Sequence, residues 1–138
     1  MQTAPLTDLK SFALAGHAIF TVENMTSGNR FTYKVSACDS TPALYFVGVL
    51  TGPENVSDYT YLGTIRDGQY MHGRKSRLHE SACSNKAFVW VWQHKNRLPS
   101  CVRVQHAGRC GRCGRILTVP ESIERGIGPE CATKMGVA

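Results

Sequence analysis

The chain has 138 residues and a mass of 15.2 kDa, room for one domain or one domain with a small appended module. With 42% hydrophobic and 19% charged residues, a buried core is feasible and disorder is excluded as the default. The apolar runs, such as residues 43–50, fall far short of the ~20 residues a membrane span needs. Asp8 and Lys10 ahead of the short apolar patch at residues 12–15 do not make an export signal, so a soluble protein of the cytosol is expected.

The elements follow in chain order. Residues 18–23 alternate, with Ala18, Phe20 and Val22 on one face, and residues 31–35 alternate again after a turn at residues 25–29. These two runs predict a hairpin. Leu44–Leu50 reads as a third strand, closed by the turn at residues 51–55, and residues 59–65 as a fourth, rich in β-branched and aromatic side chains. Asp67-Gly68 is a tight-turn signal leading into a short fifth strand, Gln69–His72. A basic loop at residues 73–77 precedes a helix predicted over residues 84–97, capped by Ser81 or Ser84 and ended by Leu98-Pro99. Phe88, Val91, Trp92 and Lys95 share one face of that helix, and Phe88, Trp90 and Trp92 are assigned to the core. Val102–His106 alternates and leads towards the C-terminal segment, where residues 116–119 look β-like and Pro129–Met135 reads as a short helix. The expected class is α+β: an antiparallel β-meander with one packed helix over residues 11–105, then a small zinc module over residues 106–138.

Six cysteines without an export signal point away from disulfides. Cys110-Gly-Arg-Cys113 followed by Gly114 has the form of a metal-binding knuckle. Its turn aims two thiolates at one ion and lets backbone N–H groups donate to sulfur. Gly126-Ile127-Gly128-Pro129 then delivers Cys131 at a helix start, where the dipole favours a thiolate. Zn²⁺ in a structural site takes four ligands. His106 is the expected fourth, with Cys101 as its competitor, while Cys38 and Cys83 are read as small buried hydrophobes.

The stretch from Cys110 to Cys131 resembles a zinc element found in uncharacterised bacteriophage and bacterial proteins. The resemblance rests on Cys110 to Arg115, Leu117, Ser122-Ile123, and Gly126 to Cys131. The upstream pieces at residues 31–35 and 50–53 also look like phage proteins that carry this element at their C-terminus. The resemblance implies a metal and a phage or prophage origin, and assigns no activity.

Enzyme patterns fail on these residues. His79-Glu80 is neither the His-x-Glu of a zinc deaminase nor the start of His-Glu-x-x-His, since Cys83 stands at its last position. A dithiol redox centre at Cys110 and Cys113 is disfavoured by Gly114 and the β-like residues that follow. A zinc with three protein ligands and an open position would lack an obvious general base. The expectation is a non-enzymatic protein.

Charge suggests the partner. Residues 1–69 carry four Lys/Arg against six Asp/Glu, a net of −2, and residues 70–138 carry twelve against four, a net of +8. Arg109, Arg112 and Arg115 recur around the knuckle, and Arg74, Lys75 and Arg77 form a second cluster suited to phosphate. Nucleic acid is the expected partner of the basic half. The alternative is a phage inhibitor of a host bacterial protein, such as a defence nuclease, acting through the acidic loop of Glu54 and Asp58.

Overall fold

The structure is a computed structural model and describes residues 4–5, 8–54 and 57–136; Asn55, the end of the predicted turn, lies outside these. The protein is α+β, built on an antiparallel sheet. Strands β1 (Ala4–Pro5), β2 (His17–Asn24), β3 (Arg30–Ala37), β4 (Leu44–Leu50), β5 (Tyr59–Arg66), β6 (Gln69–His72) and β7 (Val102–His106) lie in the order β1-β7-β2-β3-β4-β5-β6. The helices are α1 (Leu9–Ala13), α2 (Cys83–Gln93), α3 (Pro120–Arg125) and α4 (Pro129–Met135). The five-strand meander stands where the alternation placed it. Asp67 (φ 52°) and Gly68 (φ 81°) form the tight turn between β5 and β6, both in the left-handed region that this kind of hairpin requires.

After β6 the chain crosses one face of the sheet as α2 and returns as β7, which pairs with β2. The alternating run at Val102–His106 is therefore an integral strand of the sheet. Ala18, Phe20, Val22, Tyr33, Val35, Val47, Val49 and Val104 point to the covered face, where Phe88, Val91 and Trp92 of α2 meet them. Tyr33 sits at the centre, with its hydroxyl donating to the Ser84 carbonyl at 2.7 Å.

Four expectations need correction. Helix α2 ends at Gln93, because His94 turns back and its N–H bonds the Trp90 and Val91 carbonyls. Its N-cap is Ala82, with no side-chain cap; Ser84 is buried in the first turn and Ser81 bonds His79 instead. Trp90 is 37% exposed and stacks on His94, so only Phe88 and Trp92 of the three aromatics belong to the core. Residues 116–119 form no strand, only a single bridge from Ile116 to Arg109.

Helix α1 is an addition to the sequence reading. Asp8 caps it through the Ser11 N–H, and Leu9, Phe12 and Ala13 are buried in the main core. A second, smaller core gathers Cys110, Leu117, Ile127, Cys131 and Ala132 in the C-terminal segment, with Ala15 packed against it from the end of α1. Among the described residues, no helix is long and apolar enough to cross a membrane.

Candidate metal centre

The knuckle is a tight hairpin. Cys110 N–H donates to Arg115 O at 2.8 Å, Gly114 N–H to Cys110 O at 2.9 Å, and Leu117 N–H to Gly108 O at 2.8 Å. Gly114 takes φ +80°, and a Cβ on Gly111 would sit 2.9 Å from the Phe12 ring, so both glycines are demanded by the geometry. The hairpin is fixed to the body by His17 N–H donating to Gly111 O at 2.6 Å. Gly111 N–H in turn donates to Gly126 O at 2.8 Å, which ties the knuckle to the end of α3. Gly128 then precedes α4, and Pro129 occupies its first turn with Cys131 buried just behind.

These contacts bring Cys110, Cys113 and Cys131 together, with the three Sγ atoms all within 4.8 Å of one another. A metal ion could sit among them. The Cys110 sulfur accepts from the N–H of Gly128 at 3.3 Å and of Arg112 at 3.4 Å, and the Arg112 Nη1 lies 3.6 Å from the Cys131 sulfur as a donor. Burial pushes the Cys110 thiol up, but the N–H groups of Gly128, Cys113 and Arg112 and the Cys113 side chain outweigh it and bring the thiol down to about 7. The Arg115 N–H pulls Cys113 down, while burial and the neighbouring Cys131 and Cys110 push it up, and the net shift is upward. Negative charge is thus favoured on one sulfur and crowded on the next, and a cation between them would relieve the crowding.

The expectation that His106 completes this set is not met. His106 is fully buried and both its ring nitrogens are engaged elsewhere. Nε2–H donates to Ile123 O at 2.6 Å, and Nδ1 accepts from Gly108 N–H at 2.9 Å. Its ring lies 5.5 Å from that of Phe12, and burial lowers its pKa against the opposing pull of Ile123. No lone pair is left for a metal. Cys101, the competitor, instead lines a cavity of about 360 Å³ with Cys83 beside α2. Cys38 is half-buried and Cys83 is exposed at the start of α2, so neither is the small buried hydrophobe expected of it. Among the described residues, the cluster offers three side chains that could hold a metal ion, Cys110, Cys113 and Cys131.

Residues 104–136 match the model of a family of unknown function, DUF6011. No curated protein and no solved structure matches the chain. The DUF6011 segment begins inside β7 and ends with α4, so it takes in the knuckle, all three cysteines and His106.

The arginines of the knuckle diverge. Arg109 is exposed, bonds the Gly114 carbonyl at 3.1 Å, and borders the side of the sheet that no helix among the described residues covers. There a cavity of about 400 Å³ is lined by His17, Ile19, Lys34, Arg109, Cys113 and Gly114. Arg112 turns onto the Cys131 sulfur, and Arg115 lines the opposite side of the cluster. Arg74, Lys75 and Arg77 are exposed in a loop pinned to β5, where Ser76 Oγ donates to Tyr61 O at 2.7 Å and Gly73 N–H to Leu62 O at 3.0 Å. The acidic loop closes on itself, with the Asp58 carboxylate accepting from Glu54 N–H at 2.9 Å.

Sequence reasoning missed the uncovered face of the sheet. Cross-strand register forms one row His17–Ser36–Phe46–Thr64–Met71 and a second Ile19–Lys34–Gly48–Tyr61. Phe46, Tyr61 and Met71 are exposed, Met71 at 72%. Lys34 lies over the Tyr59 ring at 5.7 Å. The signal was present in the alternation of Phe46 against Val47 and of Tyr61 against Leu62. It is legible only once the covered face is known.

Proposed function

We propose that this is a phage-derived, non-enzymatic zinc-binding protein that takes single-stranded nucleic acid across the uncovered face of its sheet. Three thiolates with N–H donors to sulfur suit Zn²⁺, which would staple a segment whose own core is small. One observation carries the nucleic-acid reading. The two rows bearing Phe46, Tyr61 and Met71 run between two basic groups, Lys34 and Arg109 at one end and the loop of Arg74, Lys75 and Arg77 at the other. Four strand-to-strand steps from β2 to β6 cover about 19 Å, enough for a short run of nucleotides. Exposed rings offer stacking surfaces to unpaired bases, and the flanking cations suit phosphates. Glu23, the one acid within the described strands β2 to β7, is paired with Arg103 at 2.8 Å. Arg112 and Arg115, turned towards the cysteines, drop out of the interface.

The test is fluorescence anisotropy with a labelled single-stranded oligonucleotide and its duplex at low salt. The single strand should bind more tightly. Phe46→Ala and Tyr61→Ala should each weaken it by roughly 5- to 150-fold, since stacking contributes ~1–3 kcal/mol per base. Absence of binding, or affinity indifferent to both rings, overturns the reading. A second reading, the inhibitor of a host protein, is favoured by the apolar character of Phe46 and Met71 and moves to the same face. It would be marked by binding to a protein partner that resists salt but is lost with Met71→Asp.

A further inference from the structure

The three cysteines line a second cavity, of about 350 Å³, on the side of the cluster away from the sheet. Ser122 of α3 lines it as well. This residue is only 2% exposed, and its hydroxyl has no hydrogen-bond partner among the described residues. A buried hydroxyl left without a partner costs about 1–3 kcal/mol, and an acceptor bound in the cavity would recover that cost. Arg112, Arg115 and Lys134 supply positive charge around the same space, against the single carboxylate of Glu130. The walls between them are apolar, formed by Ile116, Leu117 and Val119.

We infer that a metal held by Cys110, Cys113 and Cys131 is completed from this cavity by an exogenous thiol, whose sulfur accepts a hydrogen bond from Ser122. The inference rests on the metal reading above. Each structural element of it has a physical source. Three thiolates leave a tetrahedral ion one ligand short, and neither His106 nor Cys101 is placed to supply it. A fourth thiolate matches the softness of the other three. Apolar walls accept the carbon of an organic thiol, and the cations offset the charge that rises when three thiolates become four. The exchange balances simply: the thiol binds as thiolate, its proton passes to solvent, and no bond to carbon is made or broken.

The test uses the whole chain reconstituted with Co²⁺, whose sulfur-to-metal charge-transfer absorption grows with the number of bound thiolates. With thiol-free buffer the spectrum should correspond to three thiolates. Titration with 2-mercaptoethanol should raise the absorption by about a third and saturate at one thiol per chain, in proportion to the step from three to four thiolates. Ser122→Ala should bind Co²⁺ as before but take the thiol roughly 2- to 10-fold more weakly, the contribution of one hydrogen bond. A four-thiolate spectrum before any thiol is added, or a spectrum indifferent to the thiol, overturns the inference while leaving the metal reading intact. Unchanged thiol affinity in Ser122→Ala overturns the role of Ser122. Failure of the wild-type chain to bind Co²⁺ at all overturns the metal reading itself.

Discussion

The imidazole of His106 donates to the carbonyl oxygen of Ile123 at 2.6 Å, which joins the last strand of the sheet to helix α3 of the DUF6011 segment. A residue that sits four positions before Cys110 thereby acts as a clamp between two cores. His106→Ala should keep the metal at its wild-type stoichiometry and lower stability by about 2–4 kcal/mol, through the emptied space beside Phe12 and the unpaired groups of Ile123 and Gly108. Metal analysis of the purified variant with a urea melt checks both parts. Loss of the metal from a variant that is still folded would return His106 to the ligand set.

The same burial gives the clamp a pH dependence. The folded-state pKa of His106 lies below its ordinary 6.5, so the folded protein binds fewer protons at this site than the unfolded chain. Its contribution is fully present above pH 6.5 and is lost as pH falls below 6.5 through the lowered folded value. Urea midpoints measured from pH 7.5 down to 5.0 should fall more steeply for the wild type than for His106→Gln. Parallel curves would show that protonation of this ring is not coupled to folding.

The meander was legible because its strands have one buried face and one exposed face, which writes period-two alternation into residues 17–50. Helix α4 was legible from Pro129 and the glycine ahead of it. Helix α1 was not, because five residues carry too little periodicity and only the tertiary core selects Leu9, Phe12 and Ala13. The knuckle cysteines were found by spacing, a local property. The role of His106 was missed because it depends on Ile123, brought to it by the turn of the whole segment. Ser122 was noticed as part of a motif, and only the three-dimensional structure places it on the wall of a cavity shared with the three cysteines.

Two aromatics of α2 separate packing from surface. Phe88 is fully buried and lies 5.0 Å from the Tyr33 ring and 4.6 Å from the Tyr70 ring. Phe88→Ala should cost about 3–5 kcal/mol in a denaturant melt. Trp90→Ala loses the stack on His94 and part of the wall of the cavity beside α2, and should cost about 1–2 kcal/mol. Equal costs would mean that α2 packs on the sheet through a different face.

Removal of one sulfur tests the staple. The segment that matches DUF6011 has its own small core around Leu117 and Ile127, a cluster separate from the main core around Tyr33 and Phe88. Cys110→Ser or Cys131→Ser should release the metal and melt residues 106–136, as should chelation of the wild type. The sheet should persist, with the amides of β3 and β4 still protected from hydrogen exchange and those of α3 and α4 exposed. Global unfolding would instead place the knuckle within the main folding unit, through His17 N–H and Gly111 O and the clamp at His106. Native protection throughout the metal-free segment would show that the small core holds without an ion, and the three sulfurs would then need another reason to lie together.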